Sequence, residues 1–226
     1  MRLCACSIAT EMTQNEKYLR IPRSAKALLR GSPLGLAARL LELPTGQRAM
    51  IERLALRGTI TVMFTDVVGF TSATEERGER TAVRILDAHD RVVLPIVRNH
   101  GGRVVKSLGD GVMAAFPDAG EAVAAANEIL DGARAAGTRR RGPLRIRVGI
   151  DTGRPTRRGD DYIGHSVNVA ARLTQRARPG EALVTDAVRR AAVRAGVDGR
   201  WKERGAVRLR GVSRPPRAWR LLPPAA

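Results

Sequence analysis

Thr59–Thr71 (TITVMFTDVVGFT) is the stretch on which the reading of this 226-residue chain turns. Thr59–Phe64 is a short apolar run of β-forming residues, the pattern of a strand buried in a sheet. Just past it stands Asp66, and Val67-Val68-Gly69-Phe70-Thr71 then leads into a helix. A carboxylate fixed at a strand end beside a glycine-containing turn suits a divalent metal. The amides of such a turn and the following helix N-terminus favour phosphate. Read alone, the same aspartate serves equally well as a helix cap.

Working outward, residues 75–99 carry Val83, Leu86, Val93, Ile96 and Val97 at roughly helical spacing, with Pro95 as a kink and Gly101-Gly102 as the stop. Arg103–Leu108 and Val112–Phe116 flank Gly109-Asp110-Gly111, which reads as a β-hairpin. Ala119–Ala136 is an alanine-rich helix. Leu144–Ile150 alternates apolar residues with Arg145, Arg147 and Gly149, a strand with one wet face. Val167–Ala177 reads as a helix, Ala182–Thr185 as a strand and Asp186–Ala195 as a helix. Val207–Leu209 and Ala218–Leu222 form an expected closing strand pair. The order βαββαβ followed by further αβ pieces predicts an α+β fold, a ferredoxin-like core with helices on one face of an antiparallel-rich sheet. Residues 1–57, broken by Pro22, Pro33 and Pro44, read as a partly helical N-terminal extension to a main domain over 58–226.

Asp110 changes the weight of Asp66. On a ferredoxin-like sheet the first strand and the central hairpin are neighbours, so the two carboxylates meet at one sheet end. Like charges that close repel unless a cation lies between them. Mg²⁺ takes one or two carboxylates together with substrate phosphates. Asp-Gly is also a favoured turn pair, but the two aspartates taken jointly favour metal. Asn168 and Arg172, four apart, share a helical face. Either that face is merely solvated, or the arginine fork and the amide hold a phosphoryl oxygen.

Composition excludes several classes. The formal net charge is +18, which by itself points to nucleic acid or an anionic surface. With only two Trp, two Tyr and three Phe, the stacking surface of a single-strand binder is missing, and no specific nucleic-acid role is expected. The cations are nearly all arginine and spread along the chain, so Lys106, the one lysine between residues 27 and 201, stands out. No apolar run reaches the ~18 residues of a membrane span. Cys4 and Cys6 have no partners at metal-ligand spacing, and the expected setting is reduced and cytoplasmic.

Phe64–Thr71 (FTDVVGFT), Val105–Gly111 (VKSLGDG) and Asp161–Arg172 (DYIGHSVNVAAR) resemble the three catalytic signatures of class III adenylate and guanylate cyclases. The resemblance runs from about Thr59 to Leu222, and Gly205–Leu221 is similar to that family's closing strands. It implies that Asp66 and Asp110 bind two divalent metal ions, Mg²⁺ or Mn²⁺, with the Val67 carbonyl as a further ligand. It implies that Lys106 and Asp161 read the adenine of ATP, that Asn168 orients the ribose and that Arg172 holds the reacting phosphate. Phe70, Thr71 and, more loosely, Arg210 are implied as substrate contacts. No side chain stands out as a dedicated general base, and His165 is assigned no role.

In that family the metal aspartates come from one subunit and the other site residues from its partner, so the resemblance implies a homodimer with composite sites. Only seven residues, Arg154 to Asp160, separate Gly153 from Asp161, a short version of the arm that grips the partner. Weak dimerisation and solvated arginines (Arg154, Arg157, Arg158) are expected. The alternative reading is a catalytically silent cyclase fold that binds nucleotide as a regulatory module.

Overall fold

The computed structural model describes residues 58–136, 144–197 and 199–222; the expected N-terminal extension, residues 1–57, lies outside the described residues. In chain order the elements are β1 (Ile60–Val67), α1 (Phe70–Arg77), α2 (Glu79–Asn99), β2 (Arg103–Ser107), β3 (Val112–Phe116) and α3 (Ala119–Ala136). There follow β4 (Ile146–Gly153), β5 (Thr156–Arg158), β6 (Asp161–Ile163), α4 (His165–Arg176), β7 (Ala182–Thr185), α5 (Asp186–Arg194), β8 (Arg200–Ala206) and β9 (Arg217–Leu222). Seven strands form one sheet in the order β2-β3-β1-β4-β7-β9-β8, and β5 pairs with β6 in a separate ribbon. The first four neighbours are the antiparallel ferredoxin-like core, and the parallel β4–β7 pair extends it. Among the described residues no helix is long and apolar enough to cross a membrane.

β1 lies inside the sheet because its apolar residues are consecutive rather than alternating. Met63 joins Phe116, Val148, Ile150 and Val184 against α2, α3 and α5. Val62 and Phe64 point the other way, into a second cluster with Met113 and Ala170 of α4. Each fully buried valine, isoleucine, methionine or phenylalanine among them contributes roughly 1.5–3 kcal/mol of burial.

That second cluster corrects the expectation of helices on one face only. α4 covers the opposite face, and the predicted wet side of β4 is largely closed. Gly149 is the reason α4 can lie so close: a Cβ there would meet the backbone of Thr174 (N) at 2.3 Å and Ala170 (O) at 2.4 Å. Alternation of Arg145, Arg147 and Gly149 resembles a solvent face, but glycine at that point marks close helix packing instead.

Two further boundaries differ. The helical stretch 75–99 breaks at Gly78, while Pro95 sits exposed inside α2. The closing pair is β8 with β9, not Val207–Leu209 with β9. β8 (RWKERGA) is an edge strand, so its charges stay in water and no apolar alternation marks it. Val207, Leu209 and Val212 pack beneath the sheet with Val169 and Leu173 of α4.

Candidate active site

Asp66 is the penultimate residue of β1, on the same side as Val62 and Phe64, and is therefore on the α4 face of the sheet. The β2–β3 hairpin brings Asp110 beside it. Gly109 takes φ 77°, the left-handed conformation a tight turn needs, and Leu108 N–H donates to the Gly111 carbonyl at 2.8 Å. Gly111 lies flush on β1, where a Cβ would stand 2.0 Å from the Thr65 carbonyl oxygen. Val67 N–H donates to the Asp110 carbonyl at 3.1 Å. Burial first, and then the neighbouring Asp66 charge, hold the Asp110 carboxyl above the usual carboxylate range.

A cation already faces this pair. Arg147 of β4 stands opposite Asp66 in register, and its Nε donates to Asp66 Oδ2 at 2.8 Å while a second guanidinium nitrogen contacts the same oxygen. By its spacing in the sequence, Arg147 belongs to a row expected to face solvent. Only the β1–β4 register, invisible in the sequence, gives it this place. Among the described residues no cluster of three or more His, Cys, Asp or Glu forms a closed metal cage. Two carboxylates with a neighbouring backbone carbonyl, that of Val67, could hold Mg²⁺ in an open site, since that ion takes one or two carboxylates and completes its shell with phosphate oxygens or water.

Lys106 and Asp161 meet directly. Lys106 on β2 pairs in register with Met113, which places it on the α4 face as well. Its Nζ donates to Asp161 Oδ2 at 2.6 Å. The Lys106 hydrogen bond is the main cause of an Asp161 carboxyl held below the usual range, helped by Tyr162 N–H, which donates to Oδ1 at 2.8 Å. The short arm between Gly153 and Asp161 folds as the β5–β6 ribbon and rests on its own β2 edge. There Arg103 donates to the Asp160 carbonyl at 3.2 Å and lies 5.6 Å over the Tyr162 ring. Arg154 and Arg158 are exposed, as expected, and the Arg157 Nε–H donates to the Gly159 carbonyl at 2.9 Å.

Asn168 and Arg172 occupy the outer side of α4, because Val169, Ala170, Leu173 and Thr174 are buried beneath. Arg172 donates to Gln175 Oε1 at 3.0 Å. Among the described residues no hydrogen bond ties Asn168 or Arg172 to either of the two pairs above. Phe70 opens α1, with its carbonyl accepting from the Thr74 hydroxyl, and Thr71 is exposed beside it. Arg210 is exposed in the turn between Leu209 and Val212.

Taken together, one sheet face gathers two carboxylates, an ammonium–carboxylate ion pair and a helix presenting an amide and a guanidinium. Two curated relatives are similar in sequence. One is a pH-sensitive adenylate cyclase of Mycobacterium tuberculosis, 34% identical over 186 residues (78% of this chain, 44% of the relative). The other is an adenylate cyclase of Streptomyces coelicolor, 34% identical over 150 residues (66% and 36%). The chain thus spans less than half the length of these relatives. Its fold is similar to the crystal structure of an adenylate/guanylate cyclase/hydrolase from Silicibacter pomeroyi, with a TM-score of 0.66 and 29% identity over 73% of this chain and 96% of that one. Residues 54–221 match the adenylate and guanylate cyclase catalytic domain family, and the chain belongs to it.

Proposed function

We propose that this cyclase domain is an adenylate cyclase, converting ATP to 3′,5′-cyclic AMP and pyrophosphate. The observation that carries the base preference is the Lys106–Asp161 pair, 2.6 Å apart on the α4 face. A carboxylate acceptor beside an ammonium donor complements adenine, whose exocyclic amino group donates and whose ring nitrogen accepts. Guanine offers a carbonyl where the carboxylate needs a donor, and an unpaired polar contact of that kind costs orders of magnitude in discrimination.

In the reaction the ribose 3′-oxygen forms a bond to the α-phosphorus, the bond from that phosphorus to the bridging oxygen breaks, and the hydroxyl proton leaves to solvent. Two divalent ions, Mg²⁺ or Mn²⁺, would be held by Asp66, Asp110 and the Val67 carbonyl, supplying acidification of the hydroxyl and charge neutralisation. With Asp66 so neutralised, the Arg147 fork is left for a phosphate oxygen. Asn168 orients the ribose, and Arg172 stabilises charge on the reacting phosphate. The first turn of α1, with Phe70 and Thr71, offers backbone N–H groups to the triphosphate.

The working unit is a homodimer in which Asp66 and Asp110 of one subunit face Lys106, Asp161, Asn168 and Arg172 of the other. Asp66→Ala and Arg172→Ala are each nearly inactive, and mixing them rebuilds one intact site per heterodimer, about a quarter of parent activity after random exchange. Failure of the mixture to gain activity, with exchange verified by tagged subunits, would contradict the shared site.

A further inference from the structure

His89 is a buried titratable group that the proposed reaction does not use, with 1% of its surface exposed on α2. Its Nδ1 lies 3.0 Å from Asp90 Oδ1, and its Nε2 lies 3.0 Å from Thr65 Oγ1. The same Thr65 oxygen accepts from Val112 N–H at 3.0 Å. A threonine hydroxyl has one proton to give. Since Val112 already donates to that oxygen, the arrangement that leaves no hydrogen without an acceptor is directional. Thr65 O–H donates to Nε2, and Nδ1–H donates to Asp90.

The place of this relay gives it a role. Thr65 immediately precedes Asp66, and Val112 follows Asp110 by two residues. The Thr65 hydroxyl is therefore a brace between the two backbone segments that carry the carboxylates, and His89 fixes the rotamer in which it braces. The hairpin already rests against Thr65 at Gly111, so a small rotation at Thr65 passes directly into the spacing between Asp66 and Asp110. A satisfied core histidine needs no such address. Leucine or phenylalanine would fill the volume with less polar burial to satisfy.

We infer that His89 is a positioning residue for the metal carboxylates, acting through Thr65 to set the separation of Asp66 and Asp110 and so the affinity for a divalent ion. The inference rests on the reading of Asp66 and Asp110 as metal carboxylates. Outer partners that orient metal carboxylates typically change metal affinity about 10- to 100-fold when removed.

The test is direct Mn²⁺ binding to the full chain by titration calorimetry, without nucleotide turnover, alongside urea unfolding. His89→Leu removes the acceptor for Thr65, and His89→Gln keeps an amide oxygen near the Nε2 position. Thr65→Val removes the brace in a side chain of equal volume on a β-strand, and Thr65→Ser keeps the hydroxyl. The expected result is Mn²⁺ affinity about tenfold weaker or worse in His89→Leu and Thr65→Val, with His89→Gln and Thr65→Ser within about threefold of the parent. Parent affinity in folded His89→Leu or in Thr65→Val overturns the positioning role, as does equal weakening in all four variants. Asp66→Ala separates the two levels. If it leaves Mn²⁺ binding unchanged, the metal reading itself falls; if it abolishes binding while Thr65→Val does not weaken it, only the role of His89 falls.

Discussion

Asp151 makes the stability of this domain depend on pH in a direction opposite to that of most carboxylates. It lies on β4 under α4, 6% exposed, and accepts from the Thr185 hydroxyl at 2.6 Å. Burial outweighs that hydrogen bond and pushes its carboxyl from 3.8 up to about 6. Between those values the folded chain holds a proton that the unfolded chain releases. Stability from the protonated form is therefore fully present below 3.8 and is lost as pH rises through about 6. Two pH units of displacement correspond to about 3 kcal/mol over the whole window, and about 2 kcal/mol of it falls between roughly pH 4.5 and 8. Asp151→Asn keeps an acceptor for Thr185 and cannot ionise. Urea unfolding followed by the emission of Trp201 and Trp219 at both pH values gives four free energies. A constant offset from the new amide cancels in the pH difference, so the parent loses about 2 kcal/mol more than the variant. For a domain of this size that is ~4–8 °C in Tm. Parallel loss in the two proteins, within about 0.5 kcal/mol, would refute the assignment of a buried, displaced carboxyl.

Three further outcomes follow from particular contacts. Gly149→Ala places a Cβ 2.3 Å from the Thr174 nitrogen, forcing α4 off the sheet; urea unfolding should show a cost of about 1–3 kcal/mol, and cyclase assays a larger loss in kcat than in KM. Lys106→Ala and Asp161→Ala each lower kcat/KM for ATP by about tenfold or more, without the same loss for GTP, which steady-state kinetics with both nucleotides will reveal. Arg147→Leu leaves Asp66 and Asp110 without a facing cation, so thermal unfolding should fall in chelator and recover toward the parent in saturating Mn²⁺; an equal drop in both conditions contradicts the stand-in role of the guanidinium.

Much of this arrangement was legible in the sequence because its signals are local. The apolar run at Thr59–Phe64, the Gly109-Asp110-Gly111 turn and the alanine-rich Ala119–Ala136 each announce one element, and α3 runs over the expected residues. Asp66 beside Asp110 followed from strand adjacency alone, and the structure brings them together. What stayed hidden depends on register and on which face a helix covers. Arg147 meets Asp66 only because β1 and β4 pair as they do, and Gly149 looks like a loss of pattern until α4 lies on it. The edge strand β8 escaped notice because an edge tolerates charge at every position. His89 was invisible for a similar reason. Its partners come from Thr65, 24 residues away in sequence, and from its own neighbour Asp90.

The decisive measurement is the product formed when the purified chain is given ATP or GTP with Mn²⁺ or Mg²⁺, read by chromatography and mass spectrometry. Cyclic AMP from ATP, in clear excess over cyclic GMP from GTP and abolished by chelator, is the predicted result. Cyclic GMP in excess would contradict the role given to Lys106 and Asp161. No cyclic nucleotide from either, while ATP still binds, would make the chain a silent nucleotide-binding member of its family.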